Sequence, residues 1–176
     1  DRELLAAVRR AAGYVTGRGA TGRSAPEVRQ LVARQLADVE AFIASALEQF
    51  SLGREMHCGI WYRGQLAGTV GLVRIEPWMR QAELGYWVGR GFEGRGIAKR
   101  AARALVTHAF RQLGLKRVEI RCAAGNTRSQ AIPEALGFKR EWVLRQVYRL
   151  RDHYHDMIVY GMLAEEWDGG GPPRPA

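Results

Sequence analysis

The sequence predicts a mixed α/β domain: a central, mostly antiparallel sheet with one parallel strand-helix-strand crossover. Three observations predict it. Apolar runs of strand length, separated by turn residues, fill much of 56–89 and 138–163, which is hairpin patterning. One amphipathic helix pattern, at 96–112, stands between strand patterns at 82–89 and 117–122, and a crossover of that kind makes those two strands parallel neighbours. The 176 residues, 47% hydrophobic and 26% charged, suffice for one core.

In chain order, residues 2–12 read as a short amphipathic helix and "GYVTGRGATGR" as a loop by its glycines. Ser24 and Glu27 form a capping box with Pro26 in the first turn, so a helix starts there and runs to near Gly53. Its apolar positions are Leu31, Leu36, Val39, Phe42, Ile43 and Leu47. "MHCGIWY" and "LAGTVGLVRI" are strands around Arg63-Gly64-Gln65, expected as a three-residue hairpin loop. Pro77 ends the second strand, and "AELGYWVG" is the third. The 96–112 helix turns Ala98, Ala101, Ala102, Leu105, Ala109 and Leu113 inward, with Lys99, Arg100, Arg103, Thr107 and Arg111 outward. "KRVEIRC" is a strand, 127–136 a short helix ending at Gly137, and "FKREWVLRQVYRL" with "YHDMIVYGML" a closing pair of strands. Residues 1–168 make a single domain, and composition predicts a disordered tail over 169–176.

Several function classes recede at this stage. No apolar run approaches the roughly 18 residues of a membrane span, and no signal-peptide pattern opens the chain. Cys58 and Cys122 sit in strands without metal spacing, which predicts a reduced, cytoplasmic protein. The net charge of +9 suits a polyanionic ligand, an acidic partner or RNA. It is spread along the chain, however, and Arg-rich usage is also what a GC-rich coding background produces. Basic residues are not interleaved with stacking aromatics, which argues against direct nucleic-acid binding. His153 and His155 share a strand face but have no nearby third ligand, so no metal is expected.

The informative stretch is "VGRGFEGRGIAKRA", Val88 to Ala101. Gly89, Gly91 and Gly94 satisfy the dinucleotide fingerprint literally, but that motif belongs on the first strand of a repeated crossover with an acidic residue ending the next strand. Here two helices and a hairpin come first, and Glu119 lies inside its strand. The Walker pattern fails for want of Gly-Lys-Ser/Thr. A plain tight connection remains open. The fourth reading uses Glu93-Gly94-Arg95-Gly96-Ile97-Ala98: glycines let consecutive amides converge, the helix start adds unpaired N–H groups, and Arg95 and Lys99 add charge. That is a metal-free pyrophosphate cradle.

At these residues the chain resembles the GNAT superfamily of acyl-CoA-dependent N-acetyltransferases, whose helix-opening signature is Q/R-x-x-G-x-G/A. Gly96 and Ala98 match, while Glu93 departs and brings the wrong charge to a phosphate site. "NTRSQAIPEALGFKRE" is similar to the block of the ribosomal-protein N-terminal acetyltransferase (RimJ/RimL-like) branch, at Asn126, Ser129, Glu134, Gly137, Phe138 and Glu141. The similarity spans about 55–165, and the branch's Trp-rich segment after the first helix is replaced by the 13–23 loop. The resemblance implies a GNAT-like fold with a splayed cleft, acetyl-CoA as co-substrate lying between strands 82–89 and 117–122, and Trp87 and Val88 pairing with the pantetheine arm. It also implies a possible homodimer.

Acetyl transfer to an amine needs a neutral amine, a stabilised oxyanion and a proton for the departing thiolate. Ser129, matching the branch's serine, is the candidate for that proton, and Asn126 for the pantetheine amides. Their i, i+3 spacing equally suits a helix N-cap. The base is Glu83, Glu141, or water alone. The acceptor is a protein N-terminus, ribosomal in this branch, or a small amine. A non-catalytic RNA- or ribosome-binding module and a CoA-sensing degenerate domain are the rival readings.

Overall fold

The computed structural model describes residues 25–150 and 152–169. The predicted 2–12 helix, the glycine-rich loop, the Ser24 cap and nearly all of the tail lie outside them. The elements run α1 (Ala25–Ser51), β1 (Met56–Tyr62), β2 (Gln65–Glu76), β3 (Gln81–Val88), α2 (Ile97–Arg111), β4 (Arg117–Ala123), α3 (Thr127–Ala135), β5 (Lys139–Leu150) and β6 (His153–Leu163). Six strands form one sheet in the order β1-β2-β3-β4-β6-β5. All neighbours are antiparallel except β3 and β4, the pair joined by the α2 crossover.

Strand alternation gives the sheet two unlike faces. Leu72, Leu84, Val118, Ile120, Tyr160 and Met162 are buried on one, under Ala102, Leu105, Val106 and Ala109 of α2. The alanines let the helix backbone come close to the sheet, and burying the larger side chains contributes roughly 1.5–3 kcal/mol each. Leu113, expected in that stripe, is 40% exposed because it falls beyond the C-cap Gln112; Leu115 is buried instead.

Two local expectations change. The β1–β2 loop has two residues, since Tyr62 pairs with Gln65. Arg63 and Gly64 take φ of 50° and 74°, the left-handed pair whose twist matches that of the flanking strands. Toward the end of α1 the apolar positions are unevenly covered: Ile43 is buried, but Phe42 and Leu47 are more than half exposed. Among the described elements α1 packs chiefly on β1, with Phe42 edge-on to His57 at 5.3 Å between ring centroids.

The feature that positions the site is the shortness of the parallel ladder. It joins Gln81–Leu84 to Arg117–Ile120 and stops. Beyond it β3 stays paired to β2 as far as Val88, and β4 to β6 as far as Ala123. The sheet therefore opens between the C-terminal ends of β3 and β4.

Candidate active site

Three pieces surround that opening. The first is the start of α2. Gly96 is its N-cap at φ 66°, ψ 14°, with no side chain capping the helix. The opening amides therefore keep their donors for a ligand, in the field of the helix's positive end. Gly94, at φ 71°, has nothing within 4 Å of where a Cβ would stand, so the loop is open on that side. Arg95 lies over the Tyr62 ring at 5.6 Å, and Lys99 is exposed one turn into the helix. Ile97, by contrast, faces the core.

Glu93, the position that departs from the expected pattern, points its carboxylate at Arg128 of α3, Oε2 to Nη1 2.9 Å. The pair links the glycine turn to α3, and it answers the charge of Glu93 with a guanidinium.

The second piece is the exposed edge of β3. From Gly85 to Val88 its side toward β4 has no strand partner, and buried backbone groups require one. An extended amide chain fits such an edge by strand-like pairing. Trp87 and Val88 are on this stretch, with the Trp87 side chain 64% exposed.

The third piece is α3. The Asn126 side chain accepts from the Ser129 amide at 3.0 Å, so Asn126 is the N-cap. Ser129 Oγ then lies 3.2 Å from both the Tyr86 hydroxyl and Cys122 Sγ, on the helix-covered face beside the opening. Burial pushes the Cys122 thiol up, against the hydrogen bonds of Ser129 and Tyr86, so it remains a neutral thiol.

The two carboxylates considered as bases are on the opposite face. Glu83 Oε2 is 3.3 Å from Arg74 Nη2 and 3.4 Å from Arg121 Nε, one residue before the ladder ends. Glu141 is bound by Arg117, whose backbone pairs with Gln81 at the closed end of the ladder. Glu83 is thus the nearer to the opening, and neither is beside Ser129. Tyr86, Cys122 and Arg128 were not singled out from the sequence as site residues. A phenol two residues past Leu84, on an otherwise apolar strand face, is the available signal for Tyr86.

A bare helix start, an unpaired strand edge and a hydroxyl around one gap suit transfer from an acyl thioester, and the donor set fits coenzyme A. The known proteins agree. The acetyltransferase (GNAT) domain family matches residues 18–139. YdaF of Bacillus subtilis (strain 168), named as a candidate ribosomal N-acetyltransferase, is 38% identical over 130 residues, 74% of this chain and 71% of that protein. The ribosomal-protein-serine acetyltransferase of Escherichia coli (strain K12) is 33% identical over 106 residues, 60% of this chain and 59% of that one. Mycobacterium smegmatis RimJ in complex with CoA-disulfide superposes with a TM-score of 0.72 at 25% identity, covering 76% of this chain and 64% of that chain.

The chain belongs to the GNAT acetyltransferase family. It is an acetyl-CoA-dependent N-acetyltransferase, moving an acetyl group to an amine. No helix among the described residues is long and apolar enough to cross a membrane.

Proposed function

We propose that the acceptor is the free α-amine of a protein N-terminus, ribosomal proteins foremost, and that Ser129 returns a proton to the departing thiolate. The observation that carries this reading is Ser129 Oγ beside the strand opening, on a helix whose first turn is fixed by the Asn126 cap. Two of the relatives above bear names of ribosomal-protein acetylation. An α-amine, with a pKa near 7.7–8, is partly neutral at physiological pH, whereas a lysine near 10.4 is not.

Bound acetyl-CoA supplies an activated thioester carbonyl, and no covalent enzyme intermediate is required. The amides from Gly94 to Lys99, with Arg95 and Lys99, hold the diphosphate. The edge at Trp87 and Val88 and the free amide of Asn126 align the pantetheine arm. As the acceptor nitrogen bonds to the carbonyl carbon, its proton leaves through water toward Glu83, the carboxylate nearer the opening. When the C–S bond breaks, Ser129 Oγ gives up its proton to sulfur and recovers one from water. The setting is cytoplasmic, and a homodimer is supported by the exposed Trp142, Val147, Tyr148 and Tyr154 of the β5–β6 hairpin.

The test compares a peptide with a free N-terminal serine and the same peptide N-formylated, reading thiol release from acetyl-CoA. Release is expected with the free amine alone, and Ser129→Ala should lower kcat on the order of 10²-fold while calorimetry shows unchanged CoA affinity. Equal release from the blocked peptide removes the α-amine; unchanged kcat removes Ser129.

A further inference from the structure

Helix α3 contains Pro133, fully buried, four residues after Ser129. Proline has no N–H, so the Ser129 carbonyl loses the donor that a regular helix would give it. A carbonyl in that state needs another partner. It has one: the Tyr86 hydroxyl, on β3, donates to Ser129 O at 2.9 Å. The same phenol oxygen is 3.2 Å from Ser129 Oγ, and Cys122 Sγ is 3.2 Å from Oγ on β4.

Counting protons orders these contacts. Tyr86, Ser129 and Cys122 carry one each. With the phenol proton committed to the carbonyl, the phenol oxygen accepts from Ser129 Oγ, and the thiol is free to donate to Oγ. In that state the serine proton points into the sheet. When a thiolate develops in the opening, the serine proton turns outward, and the thiol proton of Cys122 is placed to bond the oxygen it leaves while the phenol keeps its bond to the carbonyl. Burial pushes the Tyr86 phenol up, so it stays protonated throughout.

We propose that Tyr86 and Pro133 act together as a positioning device for Ser129. Proline withholds the helical donor so that the tyrosine can hold the Ser129 carbonyl, and the same phenol oxygen, backed by Cys122, sets the direction of the Ser129 hydroxyl. Tyr86 is a positioning residue acting through Ser129. The hydroxyl half of this inference rests on the role proposed for Ser129; the carbonyl half does not.

The experiment is a double-mutant cycle of Tyr86→Phe and Pro133→Ala, read by urea unfolding, by calorimetry with CoA, and by kcat with the serine peptide and acetyl-CoA. Tyr86→Phe orphans the carbonyl and should lower stability; adding Pro133→Ala supplies an N–H and should restore most of that loss, a clear stability coupling between the two positions. Turnover should behave differently. Tyr86→Phe should lower kcat roughly tenfold, a hydrogen-bond-sized ~1.4 kcal/mol, with CoA affinity unchanged, and the second substitution should not restore it. A tether alone would give back both stability and turnover together, and that result overturns the hydroxyl half. Stability coupling of zero overturns the carbonyl half. Tyr86→Phe in a Ser129→Ala background separates the two readings. No added loss there supports positioning. An equal loss with and without Ser129 overturns it while leaving the serine's own role standing.

Discussion

At the scale of single residues, the site depends on two unusual positions. Gly96 is one, because the left-handed φ of 66° at a helix N-cap costs any other residue about 1–2 kcal/mol. Gly96→Asp adds a carboxylate among the opening amides, so calorimetry should detect no CoA binding in a variant that still folds. Glu93 is the other. Its bridge to Arg128 joins side chains 53% and 85% exposed, and such pairs contribute only ~0.2–1 kcal/mol. Glu93→Gln removes a negative charge beside the proposed diphosphate site at little structural cost. CoA should bind about two- to fivefold more tightly, a gain that 0.5 M salt erases; weaker binding at low salt would mean that holding Arg128 matters more than the repulsion. These residues also show what the sequence disclosed of the site. The glycine turn and the N-x-x-S block were legible because both are local in sequence. Tyr86 was not, since its partner is 43 residues away and the need for it arises from the proline in another element. The arginines gripping Glu83 and Glu141 were equally hidden: each reaches across strands whose register the sequence does not spell out.

At the scale of elements, the short helix α3 is anchored at both ends. Near its start, Tyr86 holds it to β3; near its end, the Tyr160 hydroxyl of β6 donates to Glu134 Oε1 at 2.9 Å. Tyr160 is buried and Glu134 is exposed, so the two halves of this bond are unequal. Truncation at Glu134→Ala leaves a phenol buried without its acceptor, and urea unfolding should show a loss of about 1–3 kcal/mol. Tyr160→Phe removes the buried polar group itself, leaving Glu134 to water, and should cost less. The reverse ranking would show that Glu134 does something other than satisfy Tyr160. Burial, then the Glu134 carboxylate, push the Tyr160 phenol up to about 12, so this contribution is fully present below pH 10 and lost as pH rises through the folded value. Element positions were readable wherever apolar periodicity met a glycine or proline boundary, as at Pro77, Gly96 and Gly137. What failed was geometry settled by tertiary contact: the loop at Arg63-Gly64, set by strand twist, and the exposure of Phe42 and Leu47 on α1, whose cover periodicity alone does not supply.

At the scale of the molecule, the sheet face opposite α2 and α3 carries an ordered charge ladder. Arg74, Glu83, Arg121, Glu119, Arg117 and Glu141 alternate in sign across β2, β3, β4 and β5, with contacts of 3.3, 3.4, 3.1 and 2.9 Å before the final Arg117–Glu141 pair. Three carboxylates and three guanidiniums cancel, so the net charge of +9 resides elsewhere. The ladder is thus a structural cross-brace below the opening, and it runs from the Arg74–Glu83 pair on β2 and β3 to the strand that pairs with β6. Its central member gives it a pH signature. Burial works against ionising Glu119, yet hydrogen bonds from Arg117 and Arg121 outweigh it and hold the carboxyl below its ordinary value of 4.5. A depressed folded-state value means that the unfolded chain binds the proton first as pH falls. The stabilisation is therefore complete above 4.5 and drains away below it, as pH falls through the lower folded value. Urea unfolding at pH 7 and at successive points down to pH 3 should show stability declining over that window. Glu119→Gln keeps the shape and one acceptor oxygen but has no proton to take up. The variant should start lower at pH 7 and decline less steeply. Parallel curves for the two proteins would place the acid sensitivity in other carboxylates and leave the ladder without this role.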